Sequence, residues 1–139
     1  MAYKRKTWAE KMNPHIAHKI EITDKTFADV PEGVKMLIAT PTIVDDYVRH
    51  IPKGTATNLQ QMRKDLAAEY HAAYACPITS GLFLRIVAEK AYEEYQQGKP
   101  LNEITPFWRI IDLKSNTAKR LSFGTDFLVA QREKEGLPV

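Results

Sequence analysis

The chain reads NLQQMRKDLAAEYHAAYACPITSGLFLRIVAEKAYEEYQQG from Asn58 to Gly98. Asn58 is a good N-cap residue, and the apolar residues after it recur at the three- and four-residue spacing of one helical face. Proline favours the first turn of a helix and glycine follows the last, so a longer helix is expected from Pro77 to about residue 97. The stretch therefore predicts a helix, a short connection and a longer helix, which is the outline of a helix-turn-helix.

The longer helix is expected to have one buried and one exposed face. The face expected to be buried consists of Ile78, Leu82, Phe83, Ile86, Val87, Ala91 and Tyr95. The opposite face carries Thr79, Ser80, Arg85 and Glu89. This division points the small residues near the start of the helix, 79–81, toward solvent or a bound groove.

The N-terminal third of the chain predicts little regular structure before its first strand. Residues 1–33 are polar and interrupted by proline and glycine, whereas residues 34–39 are apolar and predict one short buried strand. A helix is expected to begin at Thr42, with Asp45 completing a capping box, and to end at Pro52. Residues 1–41 are therefore interpreted as a basic extension that contributes one strand.

The C-terminal third predicts one more helix, from about Asp126 to Glu135. Before this helix, residues 110–124 combine apolar and basic positions and predict a wing-like hairpin or loop. The expected fold class is α+β, mostly helical and winged helix-turn-helix-like, with the domain proper spanning residues 42–139.

Composition limits the classes of protein that this chain can belong to. It has 139 residues, of which 44% are hydrophobic and 27% charged, and these values are typical of one globular domain. No apolar run approaches the ~20 residues of a membrane helix, and the N-terminus lacks the apolar core of a signal peptide. The single cysteine, Cys76, and the absence of an export signal favour a cytoplasmic location. A net charge of +3 permits nucleic-acid binding without requiring it.

The segment 98–110, GKPLNEITPFWRI, resembles the Gly-Asn-Pro … Pro-Cys-His-Arg-Val active-site stretch of the O6-alkylguanine-DNA alkyltransferases. Ile51-Pro-Lys-Gly-Thr55 is similar to the Ile-Pro-x-Gly that precedes their helix-turn-helix. Pro77 matches the proline that opens their recognition helix, and Glu135-Gly136 matches the Glu-Gly that ends their last helix. The resemblance covers residues 42–137 and implies the DNA-binding domain of that family.

The reactive residues of the family are replaced in this sequence. Phe107 stands where the alkyl-accepting cysteine would be, and Trp108 stands where its histidine would be. A phenyl ring has no thiolate to attack an alkyl group, so the chain is expected not to be an enzyme. It resembles the alkyltransferase-like proteins, which replace the cysteine and bind alkylated guanine without repairing it. Three further positions depart from the family: Gly81 replaces the inserted arginine, Leu59 the tyrosine that rotates the nucleotide, and Lys99 the hinge asparagine.

The resemblance implies a base pocket and a DNA-binding surface, with double-stranded DNA bound through its minor groove. The expected pocket residues are Leu59, Pro106, Phe107, Trp108, Arg109 and Glu135. The expected phosphate contacts are Lys53, Thr55, Thr57, Lys114, Ser115, Lys119 and Arg120, and the groove is expected to meet Thr79, Ser80, Gly81 and Arg85. No cofactor is expected.

Other interpretations of the same residues remain open. Phe107 and Trp108 would also suit an apolar core that fills the vacated site. The whole fold would also suit a protein–protein interaction module that has lost DNA binding. Cys76 precedes a helix N-terminus and, with His71, would suit a Cys–His nucleophile. The four histidines do not have the spacing of metal ligands.

Overall fold

The structure is a computed structural model that describes residues 5–139, in which a three-stranded sheet lies among six α-helices. The mostly helical α+β class predicted from the sequence is confirmed. None of the helices found in this part of the chain is long and apolar enough to cross a bilayer.

The region before the first predicted strand is more ordered than its sequence suggested. Helix α1, Trp8–Met12, opens with a capping box in which Thr7 and Glu10 exchange hydrogen bonds, and strand β1 spans Lys19–Ile22. Residues 1–41 therefore contribute two strands rather than one, and Lys4 of the basic extension lies outside the described residues. The sequence pattern of residues 19–22 does not predict a strand, because β1 is exposed along its length and is formed by pairing with another strand.

The sheet has the order β1-β2-β3, with β2 at Lys35–Ile38 and β3 at Tyr74–Ala75. Strands β1 and β2 are antiparallel, whereas β2 and β3 are parallel and pair Leu37 with Ala75. Because β3 lies in the connection that precedes the longest helix, the sheet fixes where that helix begins.

Helix α2 spans Pro41–Arg49 and begins one residue earlier than predicted. Thr40 is its N-cap, and the Thr40 hydroxyl accepts a hydrogen bond from the backbone N–H of Ile43. Pro41 opens this helix in its first turn instead of merely ending the strand before it. Asp45 does not complete a capping box; its carboxylate accepts a hydrogen bond from Thr105.

The predicted helix pair is confirmed. Helix α3 spans Leu59–Glu69, and the side chain of its N-cap residue, Asn58, accepts a hydrogen bond from Gln61 N–H at 2.8 Å. Helix α4 spans Pro77–Gln96 and is followed by Gly98 at φ +101°, a backbone conformation that favours glycine.

The predicted buried face of α4 is partly wrong. Ile78, Leu82 and Tyr95 are 69%, 51% and 40% exposed, whereas Ser80 and Glu89, which were expected on the solvent side, are buried. Helix α4 packs against α1, α2, α3, α5 and the turn at 107–109, so different faces are covered along its length. The buried residues of a central helix of this kind therefore do not form one continuous apolar stripe along the helix.

After α4 the chain forms two single-turn 3₁₀ helices, Leu101–Glu103 and Phe107–Arg109, and then helices α5, Asn116–Arg120, and α6, Asp126–Lys134. The wing-like segment contains no strand. The Ser115 hydroxyl caps α5 by accepting a hydrogen bond from Ala118 N–H, and this cap favours a helical turn over a hairpin.

The core lies between α4 and the elements around it. Its largest fully buried side chains include Phe107, Leu37, Met62, Leu66 and Leu84. Met12 of α1 and Leu37 of β2 belong to the same apolar cluster as residues from α2, α3 and α4. Residues of the N-terminal third therefore share one core with the helices that follow them.

Candidate functional site

The Glu135 carboxylate is the centre of a buried hydrogen-bond network at the end of α6. Its Oε2 accepts a hydrogen bond from the Trp108 indole N–H at 2.7 Å and from Arg109 Nη2 at 3.0 Å. Its Oε1 accepts hydrogen bonds from Arg109 Nε and from the backbone N–H of Gly54, both at 2.9 Å. Residues from three separated parts of the chain therefore meet at one carboxylate.

The network holds Glu135 in its ionised form. Burial of the carboxyl group favours the neutral form, but the hydrogen bonds from Arg109, Gly54 and Trp108 outweigh burial and lower the pKa of Glu135 to about 2. The Glu135 side chain is 7% exposed and that of Arg109 15%, so solvent screens this ion pair weakly. At neutral pH the site is a carboxylate–guanidinium pair with an indole N–H attached to it.

Arg109 and Arg132 fix the backbone around the pair. Arg109 Nη1 donates to the carbonyl of Ile51 at 2.9 Å, and the Arg109 carbonyl accepts from Thr57 N–H. Arg132 is buried, and its Nη1 donates to the carbonyl of Trp108 at 2.7 Å. The loop before α3, the turn at 107–109 and α6 are therefore held together by guanidinium groups.

A cavity of about 520 Å³ lies beside this network. Four of the residues predicted for the pocket line it: Pro106, Trp108, Arg109 and Glu135. The remaining lining residues are Arg49, Lys53, Leu101, Asn102, Ile104, Gln131 and Lys134. Its wall thus combines the Trp108 indole, which is only 3% exposed, with apolar side chains, amides and several cations around a single carboxylate that is already paired.

Phe107 does not line the cavity. Its side chain is fully buried, and its ring contacts Trp108, Phe123 and Phe127 with centroids between 5.5 and 5.8 Å apart. The expectation that Phe107 lines the pocket is wrong, because the ring has no accessible face. The alternative interpretation of Phe107, an apolar core residue, is the one that the geometry supports.

Leu59, the other residue predicted for the pocket, lies elsewhere. It lines a separate cavity of about 310 Å³ with Lys114 and Ser115, and its Cδ2 atom lies 3.7 Å from the position that a Cβ on Gly81 would take. The pocket assignment of Leu59 is therefore wrong, because the start of α3 packs on α4 and not on the turn at 107–109.

The residues predicted to meet the groove have different environments. Ser80 is buried, so its expected place on the exposed face is wrong, and Thr79 is half-buried. Gly81 faces Leu59. The Arg85 guanidinium lies 5.4 Å from the centroid of the Trp8 ring and 3.7 Å from the Glu89 carboxylate. Arg85 is the only charged residue of this set, and its guanidinium already contacts Trp8 of α1 and Glu89 of α4.

The predicted phosphate contacts are mostly exposed but are not gathered at one cavity. Lys53 lies at the first cavity, Lys114 and Ser115 lie at the second, and Lys119 and Arg120 are exposed at the end of α5. Thr55 is exposed, whereas Thr57 is half-buried beside Arg109. Ser115 is occupied as the cap of α5.

The proposed Cys–His pair is not formed. Cys76 is buried in a small apolar cluster with Val30 and Met36, whereas His71 is exposed. Within residues 5–139 no group of three or more histidine, cysteine, aspartate or glutamate side chains is arranged to hold a metal ion.

Several residues of the cavity were not predicted from the sequence. Gln131 lies on α6 four residues before Glu135, the C-cap residue of that helix, and helical spacing alone would have placed the two on one face. The sequence around Arg49 and Lys134 does not predict that they line a cavity, because the cavity forms only when α2, α6 and the 3₁₀ turns come together.

Comparisons with known proteins give no relative for this chain: no protein-family model, no curated protein and no solved structure matches it. The site must therefore be interpreted from its own geometry.

Proposed function

We propose that this chain is a non-catalytic DNA-binding protein of the alkyltransferase-like type, which binds double-stranded DNA and accommodates a damaged or alkylated base without repairing it. The observation that carries the proposal is the meeting of Trp108 and Glu135 at the wall of a cavity with a basic rim. These are the two positions that the sequence resemblance aligns with the active-site histidine and the last-helix glutamate of the alkyltransferases.

The chemistry of the cavity supports binding over alkyl transfer. Phe107 supplies no nucleophile and is enclosed by aromatic rings. The Glu135 carboxylate is held by four N–H donors, and the depressed pKa makes it a poor proton acceptor. A cavity of about 520 Å³ is within the range of pockets that enclose small aromatic ligands.

The rim of the cavity supports an anionic partner. Lys53 and Lys134 are exposed at the cavity, and Arg49 lies at the same rim. A base extruded from a duplex carries its phosphates with it, so cations around the opening would neutralise the backbone next to the base. Asn102 and Gln131 supply the amide donors and acceptors that hydrogen bonds to a base edge require.

The test is duplex binding measured against salt, with plain DNA and with DNA that contains O6-methylguanine. The wild-type protein is expected to bind with a log–log slope of several units, because each phosphate neutralised contributes about 0.9 to that slope. Binding to both duplexes is expected to weaken in K53Q/K134Q, and its salt slope is expected to fall by about one to two units, whereas the matched control K25Q, an exposed lysine in the N-terminal third, leaves both unchanged. Equal and weak binding of both duplexes would remove the damaged-base part of the proposal, and a flat slope would remove DNA binding.

A protein–protein interaction module is the second candidate, and one observation favours it. Ile78 and Leu82 expose apolar surface on α4, as interaction surfaces do. This candidate predicts association with a protein that is insensitive to salt, in the absence of any measurable binding to duplex DNA.

A further inference from the structure

Strand β1, Lys19–Ile22, is an open edge of the sheet, because among residues 5–139 the sheet places only β2 beside it. All of its residues are exposed, with Ile20 at 44% and Ile22 at 62%. Edge strands of natural proteins are commonly protected from further pairing by proline, by a bulge or by several lysines. Residues 19–22 contain no proline and a single lysine, and they pair with β2 without a bulge. This edge is therefore free to pair with another strand.

The hydrogen bonds of β2 show which backbone groups of β1 face the open edge. The carbonyls of Lys35 and Leu37 accept hydrogen bonds from N–H groups of the segment 73–76, so these two residues point their backbone toward β3. Their partners across the antiparallel pair are Ile22 and Ile20. Because backbone groups alternate sides along a strand, the N–H and C=O groups of Ile20 and Ile22 point away from β2.

These outward groups are left open by the part of the chain that the structure describes. No loop or turn among residues 5–139 supplies a backbone hydrogen bond to Ile20 or Ile22. The side chains of Lys19 and Glu21 take part in none of the ion pairs of the same residues. Strand β1 thus presents backbone donors and acceptors, two isoleucines and two opposite charges along one edge.

The sequence of β1 is complementary to itself in one antiparallel register. Side chains alternate along a strand, so Lys19 and Glu21 lie on one face and the two isoleucines on the other. When Ile20 of one copy lies opposite Ile20 of a second copy, Lys19 of each copy faces Glu21 of the other. The outward backbone groups of the two Ile20 residues then meet, as a hydrogen-bonded pair requires. Opposite charges that face each other across a strand pair are favourable.

The other two-fold registers centred within β1 lack this match. A pair centred on Lys19 or on Glu21 brings two like charges together, which is unfavourable. A pair centred on Ile22 places Glu21 opposite Thr23, where it meets no cation. The charge pattern therefore selects the register through Ile20, and a second copy of this chain is the partner that the edge fits.

We propose that β1 pairs antiparallel with β1 of a second copy, about a two-fold axis at Ile20, and joins the two sheets into one of six strands. The interface is isologous, because each copy contributes the same edge. Each isoleucine at 22 then lies opposite His18 of the other copy, whose ring is held 4.6 Å from the ring of Tyr70. The pairing does not depend on DNA binding, since no residue expected to contact DNA lies in β1.

The test is sedimentation velocity of the full chain over a range of concentrations, with charge variants of β1. E21K and K19E each place like charges across the pair, so each variant alone is expected to dimerise about tenfold more weakly than wild type. An equimolar mixture of K19E and E21K is expected to recover wild-type association, because both cross-strand pairs again join opposite charges. The matched control E133K makes the same charge change at an exposed glutamate of α6 and should associate as wild type.

Amide hydrogen exchange at low and high chain concentration locates the contact independently. The N–H groups of Lys19 and Glu21 face β2 and are expected to be protected at both concentrations, whereas those of Ile20 and Ile22 become protected only in the dimer. I20P removes an N–H that faces the open edge and leaves the ladder to β2 complete, so it is expected to fold and to stay monomeric.

Three outcomes would overturn the pairing. The first is a wild-type chain that is still monomeric at about 1 mM, where even a weak complex is populated. The second is a dimer that persists in E21K, K19E and I20P, or that I78S/L82S abolishes instead, since the contact would then lie on another surface. The third is a mixture of K19E and E21K that associates no better than either variant alone, which would exclude the register through Ile20.

Discussion

The Glu135 network and the first half of α4 differ in how completely their polar groups are hydrogen-bonded and their apolar groups are buried. Around Glu135, both carboxylate oxygens, the indole N–H and the guanidinium of Arg109 have partners. In the first half of α4, three buried side-chain atoms, Thr79 Oγ1, Ser80 Oγ and Arg85 Nε, have none, and two large apolar side chains are exposed. The Glu135 network is thus fully hydrogen-bonded, whereas the first half of α4 combines buried polar atoms that lack partners with apolar side chains that face solvent.

This contrast suggests a division of work within the proposed function. The network around Glu135 keeps the wall of the cavity in one shape, which suits selection of a base by fit. The first half of α4 offers apolar surface and adjacent charge, which suits contact with a long polyanion. The two regions are joined through the loop at 51–57, which is bonded to Arg109 and Glu135 and leads into α3.

The strongest test of the paired region is E135Q. Glutamine keeps the shape but removes the charge, leaving the largely buried Arg109 guanidinium without a counterion and turning one acceptor into a donor that faces other donors. We expect the free energy of unfolding to fall by about 3–5 kcal/mol, measured by chemical denaturation at pH 7. E133Q, an exposed glutamate of the same helix, is the matched control and should change stability little. A loss no larger than that of the control would mean that the network is not the rigid part of the molecule.

Acid should weaken the same region in a defined pH range. The folded-state pKa of Glu135, about 2, lies below its ordinary value of 4.5, so between these values the unfolded chain binds the proton more readily. The stabilisation by Glu135 is therefore complete above about pH 4.5, declines as the pH falls, and is gone below about pH 2. Its full size is about 3 kcal/mol, from 1.36 kcal/mol per pKa unit.

The measurement is the difference in unfolding free energy between wild type and E135Q across that range. The difference should shrink as the pH is lowered from 5 to 2, because the unfolded wild-type chain takes up a proton at Glu135 that the folded chain does not. A difference that is constant with pH would show that the charge of Glu135 does not carry the stabilisation.

The contrast also separates what the sequence predicts well from what it does not. Helices α3 and α4 are set by local signals: a capping asparagine at 58, a proline at 77 and a glycine at 98 act on the residues next to them. Strands β1 and β3 carry no such signal, because their structure comes from pairing with β2. The prediction that Ile78 and Leu82 are buried is wrong. Which face of α4 is exposed depends on the elements that pack along the helix, and local sequence does not show these.

The same limit applies to the site. The resemblance of the sequence to the alkyltransferases brought Trp108, Arg109 and Glu135 together correctly, although they belong to separate elements. It placed Leu59 and Phe107 in the cavity wrongly, because Leu59 packs against α4 and the Phe107 ring is enclosed in the core. Arg132 was missed entirely, since nothing local shows that an arginine will bind the carbonyls of Trp108 and Ile111.

The smallest expected effect concerns Gly81 and tests the incompletely packed side of the comparison. Gly81 lies within α4, where a Cβ would meet Leu59 Cδ2 at 3.7 Å, an ordinary van der Waals contact. Glycine in a helix costs about 0.5–1 kcal/mol relative to alanine, because the unfolded chain loses more freedom on folding. G81A is therefore expected to raise the free energy of unfolding by that amount, measured by the same denaturation. Gly98 at φ +101° is the control position, where alanine should destabilise instead. A loss of stability in G81A would mean that the approach of α3 to α4 is tighter than 3.7 Å, and that this face is packed as closely as the region around Glu135.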